Sequence, residues 1–262
     1  MTVPDAHRTS GLAVVETHEV GTVDAPLVAL VHGSMDRVAG FAKLTRRLRD
    51  RYRVLRYDRR GYGESRAVPG PYTITAHVDD LVELLAGRPA LVVGHSLGGN
   101  IALAAAQRHR DVVRGVITFE SPLTWQPWWP RRTGAAVADD AAVEPGDVAE
   151  RFMRRMIGDT VWERLPDKTR AERRAEGAAL LGELTDLRAN EPWVASAIST
   201  PVIAARGELG AEHHAQGMAW LSAELGCPLV VIPGARHGAH SSHPDEMAAL
   251  VDQLAALVGR SG

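Results

Sequence analysis

The chain has 262 residues, 45% hydrophobic and 24% charged, with a formal net charge of −2 and a pI of about 6.6. These values suit one α/β domain with room for an inserted subdomain, and they exclude the global basic field that draws in nucleic acid or anionic membrane. The lone cysteine, Cys227, closes no internal disulfide, and no run reaches the roughly 18 apolar residues of a membrane span. The opening "MTVPDAHRTS" has no apolar core of signal-peptide type. A soluble, cytoplasmic monomer or homodimer acting on a small molecule is expected, with no nucleic-acid or membrane partner.

In chain order, "LAVVETHEV" alternates and predicts an antiparallel edge strand. After it come "LVALVH" (27–32), "YRVLRY" (52–57), "ALVVGH" (90–95), "RGVITF" (114–119), "PVIAAR" (201–206) and "PLVVIP" (228–233). Each is apolar almost throughout, as strands buried on both faces of a parallel sheet must be. Helical periodicity fills residues 38–50, 74–86, 97–109, 211–225 and 244–258, the last with Pro244 in its first turn. Strands alternating with helices predict a mostly parallel, doubly wound α/β sheet. From 124 to 200 that rhythm stops. This interval has no strand pattern but carries "WQPWWPRR", an Ala/Asp-rich stretch, and amphipathic segments near 145–157 and 167–188. Its length exceeds any ordinary loop, which predicts a helical insertion above the sheet's carboxyl edge. Its tryptophans can line an apolar pocket or anchor the insertion to the core, and its arginines (Arg131, Arg132, Arg151, Arg154, Arg155) suit a solvated helical face.

At the end of the 90–95 strand, Gly94-His95-Ser96-Leu97-Gly98 turns directly into a helix. A G-x-S-x-G sequence at such a junction bends the chain so sharply that the serine hydroxyl stands above the sheet, with small residues either side to let helix and strand meet. The Leu97 N–H then lies at a helix N-terminus, where the dipole favours developing negative charge. The 27–32 strand exits through His32-Gly33-Ser34-Met35, where this architecture supplies a second oxyanion donor. Ser34 N–H is the first choice and Met35 the second.

With "HGS", "DRRGYGES" (58–65), "GHSLGG" and "PGARH" (233–237) in place, the chain resembles the α/β-hydrolase superfamily over roughly residues 12–258. The resemblance implies a core of residues 1–123 and 201–262, with 124–200 as a helical cap. It gives "DRRGYGES" (Asp58, Arg60, Gly61, Gly63, Ser65) a structural task. It also places the catalytic base at His237, in the loop after the last strand. His240 is the alternative base, and His243 suits the entry of the following helix. His32 is expected to hydrogen-bond beneath the site, His95 to point to the far side of the turn, and His213 and His214 to be solvated.

The acid departs from the family pattern, because its usual position holds Gly210. Glu120 ends the strand after the serine's βα unit, a place from which some haloalkane dehalogenases and lipases draw their acid, and it is preferred here. Glu208 and Glu212 are alternatives, and a surface pairing of Glu120 with Arg131 is the non-catalytic one. An activated serine predicts acyl transfer through an acyl-enzyme, with no cofactor or metal, on an ester of a small, largely apolar substrate. Thioesterase, lactonase, carbon–carbon hydrolase and cofactor-free perhydrolase chemistry fit the same residues, as does a catalytically silent receptor.

Overall fold

The computed structural model describes residues 17–130 and 144–261. Its strands are β1 (Thr17–Val20), β2 (Leu27–Val31), β3 (Arg53–Tyr57), β4 (Ala90–His95), β5 (Val113–Phe119), β6 (Val202–Gly207) and β7 (Leu229–Ile232). They form one seven-stranded sheet in the order β1-β3-β2-β4-β5-β6-β7. Only β1, at one edge and paired with β3, runs antiparallel.

Successive strand residues face opposite sides, so each face has its own core. Val28, Leu30, Val93 and Ile117 pack with Leu44, Met247 and Val251, from α1 (Ala42–Leu48) and α10 (Pro244–Ser261). Ala29, Val31, Val92 and Val116 pack with Leu81, Ile101 and Met218, from α2 (Ile74–Leu85), α3 (Leu97–Arg108) and α8 (Glu212–Leu225). Among the parallel strands, β7 departs most from two-sided burial, with Leu229 and Val231 each 37% exposed. It is an edge strand with a single neighbour, so its apolar pattern exceeds the cover available.

Since β3 lies on one side of β2 and β4 on the other, the loops leaving β2 and β4 diverge and open a crevice at the carboxyl edge. Among the described residues, four α-helices lie between β5 and β6: α4 (Pro145–Ile157), α5 (Asp159–Arg164), α6 (Asp167–Arg174) and α7 (Gly177–Ala189). No strand occurs between residues 124 and 200 among the described residues. Val148, Met153, Trp162, Leu180 and Leu184 bury against Met35 and Tyr62, which belong to the loops after β2 and β3. The expected single helix over 167–188 is split at Glu176, whose wholly buried carboxylate accepts from Gly63 N–H at 2.9 Å and pairs with Arg37 and Arg173. α5 has no counterpart in the sequence reading, and its Trp162 supplies the apolar contact.

Trp125, Trp128 and Trp193 tie this segment to the core. Trp125 packs edge-on to Trp193 at 5.4 Å, and Trp193 and Trp128 both approach Trp220 of α8. Trp193 Nε1–H also donates to Asn100 Oδ1 of α3 at 3.0 Å. Both ends of the insertion are thereby tied to the core. Arg131 and Arg132, the Ala/Asp-rich stretch, and the start of the first predicted strand lie outside the described residues. Arg154, read as part of a solvated face, forms ion pairs with Glu150, Asp159 and Glu163. No described helix is long and apolar enough to cross a membrane.

Candidate active site

β4 ends at His95 and α3 starts at Leu97, so the chain reverses within Ser96. Ser96 has φ 53° and ψ −125°, a backbone that costs a side-chain-bearing residue about 1–3 kcal/mol and must be held by its surroundings. Its N–H donates to Phe119 O at 2.8 Å and its carbonyl accepts from Gly99 N–H at 2.9 Å. The flanking glycines are required by contact: a Cβ on Gly94 would stand 2.3 Å from Gly98 O, and one on Gly98 would stand 2.1 Å from Val31 O. The turn leaves Ser96 partly exposed between buried neighbours.

Glu120 is a second strained residue, with φ 48°. Its N–H donates to Ala205 O at 3.0 Å, extending the β5–β6 pairing by one bond while the side chain turns inward. The carboxylate is fully buried. Oε1 accepts from Gly207 N–H at 2.9 Å, and Oε2 accepts from His237 Nδ1–H at 2.7 Å. Gly210 now has a reason: a Cβ there would lie 2.3 Å from Glu120 Oε1. The carboxylate reaching across from β5 occupies the space that a side chain at 210 would need. Glu208 is exposed and accepts from Gly234 N–H at 2.8 Å, and Glu212 is exposed at the start of α8.

His237 lies between β7 and α9 (Ala239–Ser242) and is partly exposed. With Nδ1–H given to Glu120, its Nε2 keeps a lone pair and can serve as a base. Three other histidines surround it, and each differs from expectation. His95 does not point away: its Nε2–H donates to His237 O at 2.8 Å, and the two rings are 4.6 Å apart, fastening the histidine loop beside Ser96. His214 is half-buried instead of solvated. It stacks on the His237 ring at 4.8 Å and 22°, and Trp129 packs edge-on to both His213 and His214. Burial, then the positive potential of neighbouring His237, pushes the His214 pKa well below its usual value, and burial also lowers His213. His240 is buried with its Nε2 3.2 Å from Asp36 Oδ2, an alternative partner to Glu120. His243 does sit at the entry of α10.

Ser34 occupies the loop after β2, and Leu97 is the first residue of α3. Beneath that loop lies a buried polar cluster that sequence reasoning missed. Arg59 is fully buried, donates to His32 O at 2.9 Å and Gly33 O at 3.1 Å, and pairs with Glu183 of α7. Glu183 also accepts from Ser34 Oγ–H at 2.8 Å and Tyr62 OH at 2.7 Å, and lies 2.9 Å from His77 Nε2. Burial would raise the Glu183 pKa, but the Arg59 charge and the His77 hydrogen bond outweigh it and hold it at about 2. His32 lies beneath, as expected. It accepts from Arg59 N–H at Nε2, and burial followed by Arg59 lowers it to about 4. The available signals were the first arginine of "DRRGYGES" and a glutamate within the apolar "LLGEL" run. In the same motif Asp58 accepts from Val38 and Glu64 N–H groups, and Arg60 forms a paired bond to Asp80, the structural role expected.

Residues 28–250 match the model of the Alpha/beta hydrolase family. The chain belongs to that family. It is 26% identical over 255 residues to 2-(acetamidomethylene)succinate hydrolase of Mesorhizobium japonicum, covering 90% of this chain and 89% of the relative. Among solved structures, a thermophilic esterase from Thermogutta terrifontis is similar, with a TM-score of 0.73, 23% identity and coverage of 98% and 99% of the two chains. The enol-lactonase from Burkholderia xenovorans is similar at a TM-score of 0.69 and 24% identity, with coverage of 92% and 96%. These likenesses make the protein a hydrolase of the alpha/beta hydrolase family.

Proposed function

We propose that this alpha/beta hydrolase cleaves a carboxylic ester of a small, largely apolar substrate through an acyl-enzyme on Ser96. The observation that carries the reading is the 2.7 Å bond from His237 Nδ1–H to the buried Glu120 carboxylate, which orients the imidazole in the loop fastened beside Ser96. Ser96 Oγ attacks the carbonyl carbon, and its proton passes to His237 Nε2. The oxyanion is received by the N–H groups of Leu97 and Ser34, each such donor contributing about 3–4 kcal/mol. His237 returns the proton to the leaving alkoxide, and water repeats the sequence to free the acid. Residues 124–200 act as the cap, seated on Met35 and Tyr62 by its apolar face and on Ser34 by Glu183.

A second reading, cleavage of an acylamino bond in an unsaturated dicarboxylate, is motivated by the Mesorhizobium japonicum relative's similarity over most of both chains. Anionic substrates need cationic side chains to receive them. The arginines beside the oxyanion loop, Arg37, Arg59 and Arg173, are paired with Glu172, Glu176 or Glu183, which favours a neutral substrate. Fluorophosphonate labelling, lost in Ser96→Ala, tests the nucleophile. A screen of p-nitrophenyl esters, acyl thioesters, lactones and enamide dicarboxylates tests the bond. Labelling that persists in Ser96→Ala would remove the serine mechanism, and turnover confined to dicarboxylates would replace the ester reading with the second one.

A further inference from the structure

Beside the serine turn lies a second cluster of titratable side chains that acyl transfer does not use. Asp36 belongs to the loop after β2, His95 ends β4 one residue before Ser96, and His240 lies on α9. His240 Nε2 is 3.2 Å and His95 Nδ1 4.0 Å from the same oxygen, Asp36 Oδ2. One nitrogen or oxygen from each of the three lies within 4.8 Å of the other two.

The protonation pattern is unusual for a buried ion pair. His95 Nε2 faces the His237 carbonyl at 2.8 Å, and a carbonyl only accepts, so the proton sits on Nε2 and Nδ1 is bare. A bare ring nitrogen therefore faces a carboxylate oxygen, acceptor to acceptor. Both atoms are buried; His95 Nδ1 has no hydrogen-bond partner, and the ring nitrogen nearest Asp36 Oδ2 is His240 Nε2 at 3.2 Å. Such a pair repels unless something positive stands between its members. The Nδ1 atom of His240 is also without a partner, whichever ring nitrogen is engaged, so it does not discriminate between readings.

We propose that Asp36, His95 and His240 bind one divalent transition-metal ion, Zn²⁺ by their ligand chemistry, which clasps together the three loops that carry Ser34, Ser96 and His237. Tetrahedral zinc with bonds of about 2.0–2.2 Å sets its ligand atoms roughly 3.4 Å apart. One pair already stands at 3.2 Å, the second at 4.0 Å and the third within 4.8 Å, so the ligand atoms must close in by no more than about 1.4 Å. The outer contacts match those of metal ligands: His95 gives its far N–H to a backbone carbonyl, and Asp36 Oδ1 accepts from Arg37 N–H at 2.8 Å. The Asp36 side chain is 26% exposed, giving an ion a way in, while the Phe41 ring covers His240 at 4.8 Å. The ion takes no part in the acyl-transfer steps.

The test titrates tag-free, chelator-stripped protein with Zn²⁺ by calorimetry and with Co²⁺ by visible absorption. One equivalent should bind at micromolar or tighter affinity, with a four-coordinate Co²⁺ spectrum abolished by Zn²⁺. A hundredfold excess over Kd should raise Tm by about 5 °C or more. Asp36→Asn and His240→Gln should each weaken binding by about tenfold or more, and His214→Gln should leave it intact. That last variant matters because Glu120, His214 and His237 also place three candidate ligand atoms within 4.8 Å. Binding lost in His214→Gln but kept in Asp36→Asn overturns the assignment, as does wild-type protein that binds no Zn²⁺ at micromolar concentration. If the Asp36 and His240 variants fail to fold, the wild-type Co²⁺ spectrum decides, and a six-coordinate one rejects the site. None of these outcomes depends on the ester reading.

Discussion

Replacing Glu120 by Gln removes one charge and one acceptor at almost constant volume. The carboxylate uses both oxygens, Oε1 for Gly207 N–H and Oε2 for His237 Nδ1–H. Glutamine has a single oxygen. If it stays with Gly207, its NH₂ faces the imidazole and drives the proton from Nδ1 to Nε2, the tautomer that cannot take a proton from Ser96. Loss of the correct tautomer in a serine–histidine–carboxylate system lowers kcat by about 10⁴, or roughly 5 kcal/mol of transition-state stabilisation. The assay is steady-state hydrolysis of a p-nitrophenyl ester, with circular dichroism as a check on folding. A complementary gain is expected from relocating the acid. In a Glu120→Ala background, Gly210→Asp puts a carboxylate into the space that Glu120 Oε1 occupies, 2.3 Å from the position of a Cβ at 210. It should recover at least about tenfold of the lost kcat. Glu120→Gln activity within about tenfold of wild type, or an equal loss in Glu208→Gln, would refute the reasoning.

Glu183→Gln leaves Arg59 fully buried without its counter-charge, which costs about 3–5 kcal/mol and should appear as a lower urea midpoint, with reduced kcat from a loosened Ser34 loop. An unchanged midpoint would show that the pair contributes little. Acid should destabilise the fold in two stages. His32, held neutral down to about 4 against a usual 6.5, contributes stability that is present above pH 6.5 and lost as pH falls toward 4. Glu183, held at about 2 against a usual 4.5, contributes stability that is lost as pH falls from 4.5 toward 2. A melting temperature flat from pH 7 to about 4 would contradict the first stage. Gly98→Ala sets a Cβ 2.1 Å from a backbone oxygen of β2, which cannot yield, so soluble, fully active protein would be unexpected.

The strands, the serine turn and the outline of the site were legible because their causes are local. Unbroken apolar runs require two-sided burial, and G-x-S-x-G at a strand–helix junction allows little but a tight turn. The glutamate at the end of β5 was legible for a related reason, since a carboxylate closing an apolar strand is out of place unless something needs its charge. β7 read as a central strand because the sequence records apolarity and not the number of neighbours.

What the sequence by itself determined is the doubly wound sheet, the candidate serine and histidine, and the helical character of the insertion, all set by periodicity and short-range sterics. The sequence favoured Glu120 among three carboxylates, and tertiary structure supplied the reason, since Glu120 and Gly210 share one space though 90 positions separate them along the chain. It also decided that His95 turns toward the His237 loop, that His214 stacks on His237 and His240 pairs with Asp36, and that Arg59 finds Glu183 across the insertion. Those pairings depend on distances closed by folding, and no spacing along the chain encodes them.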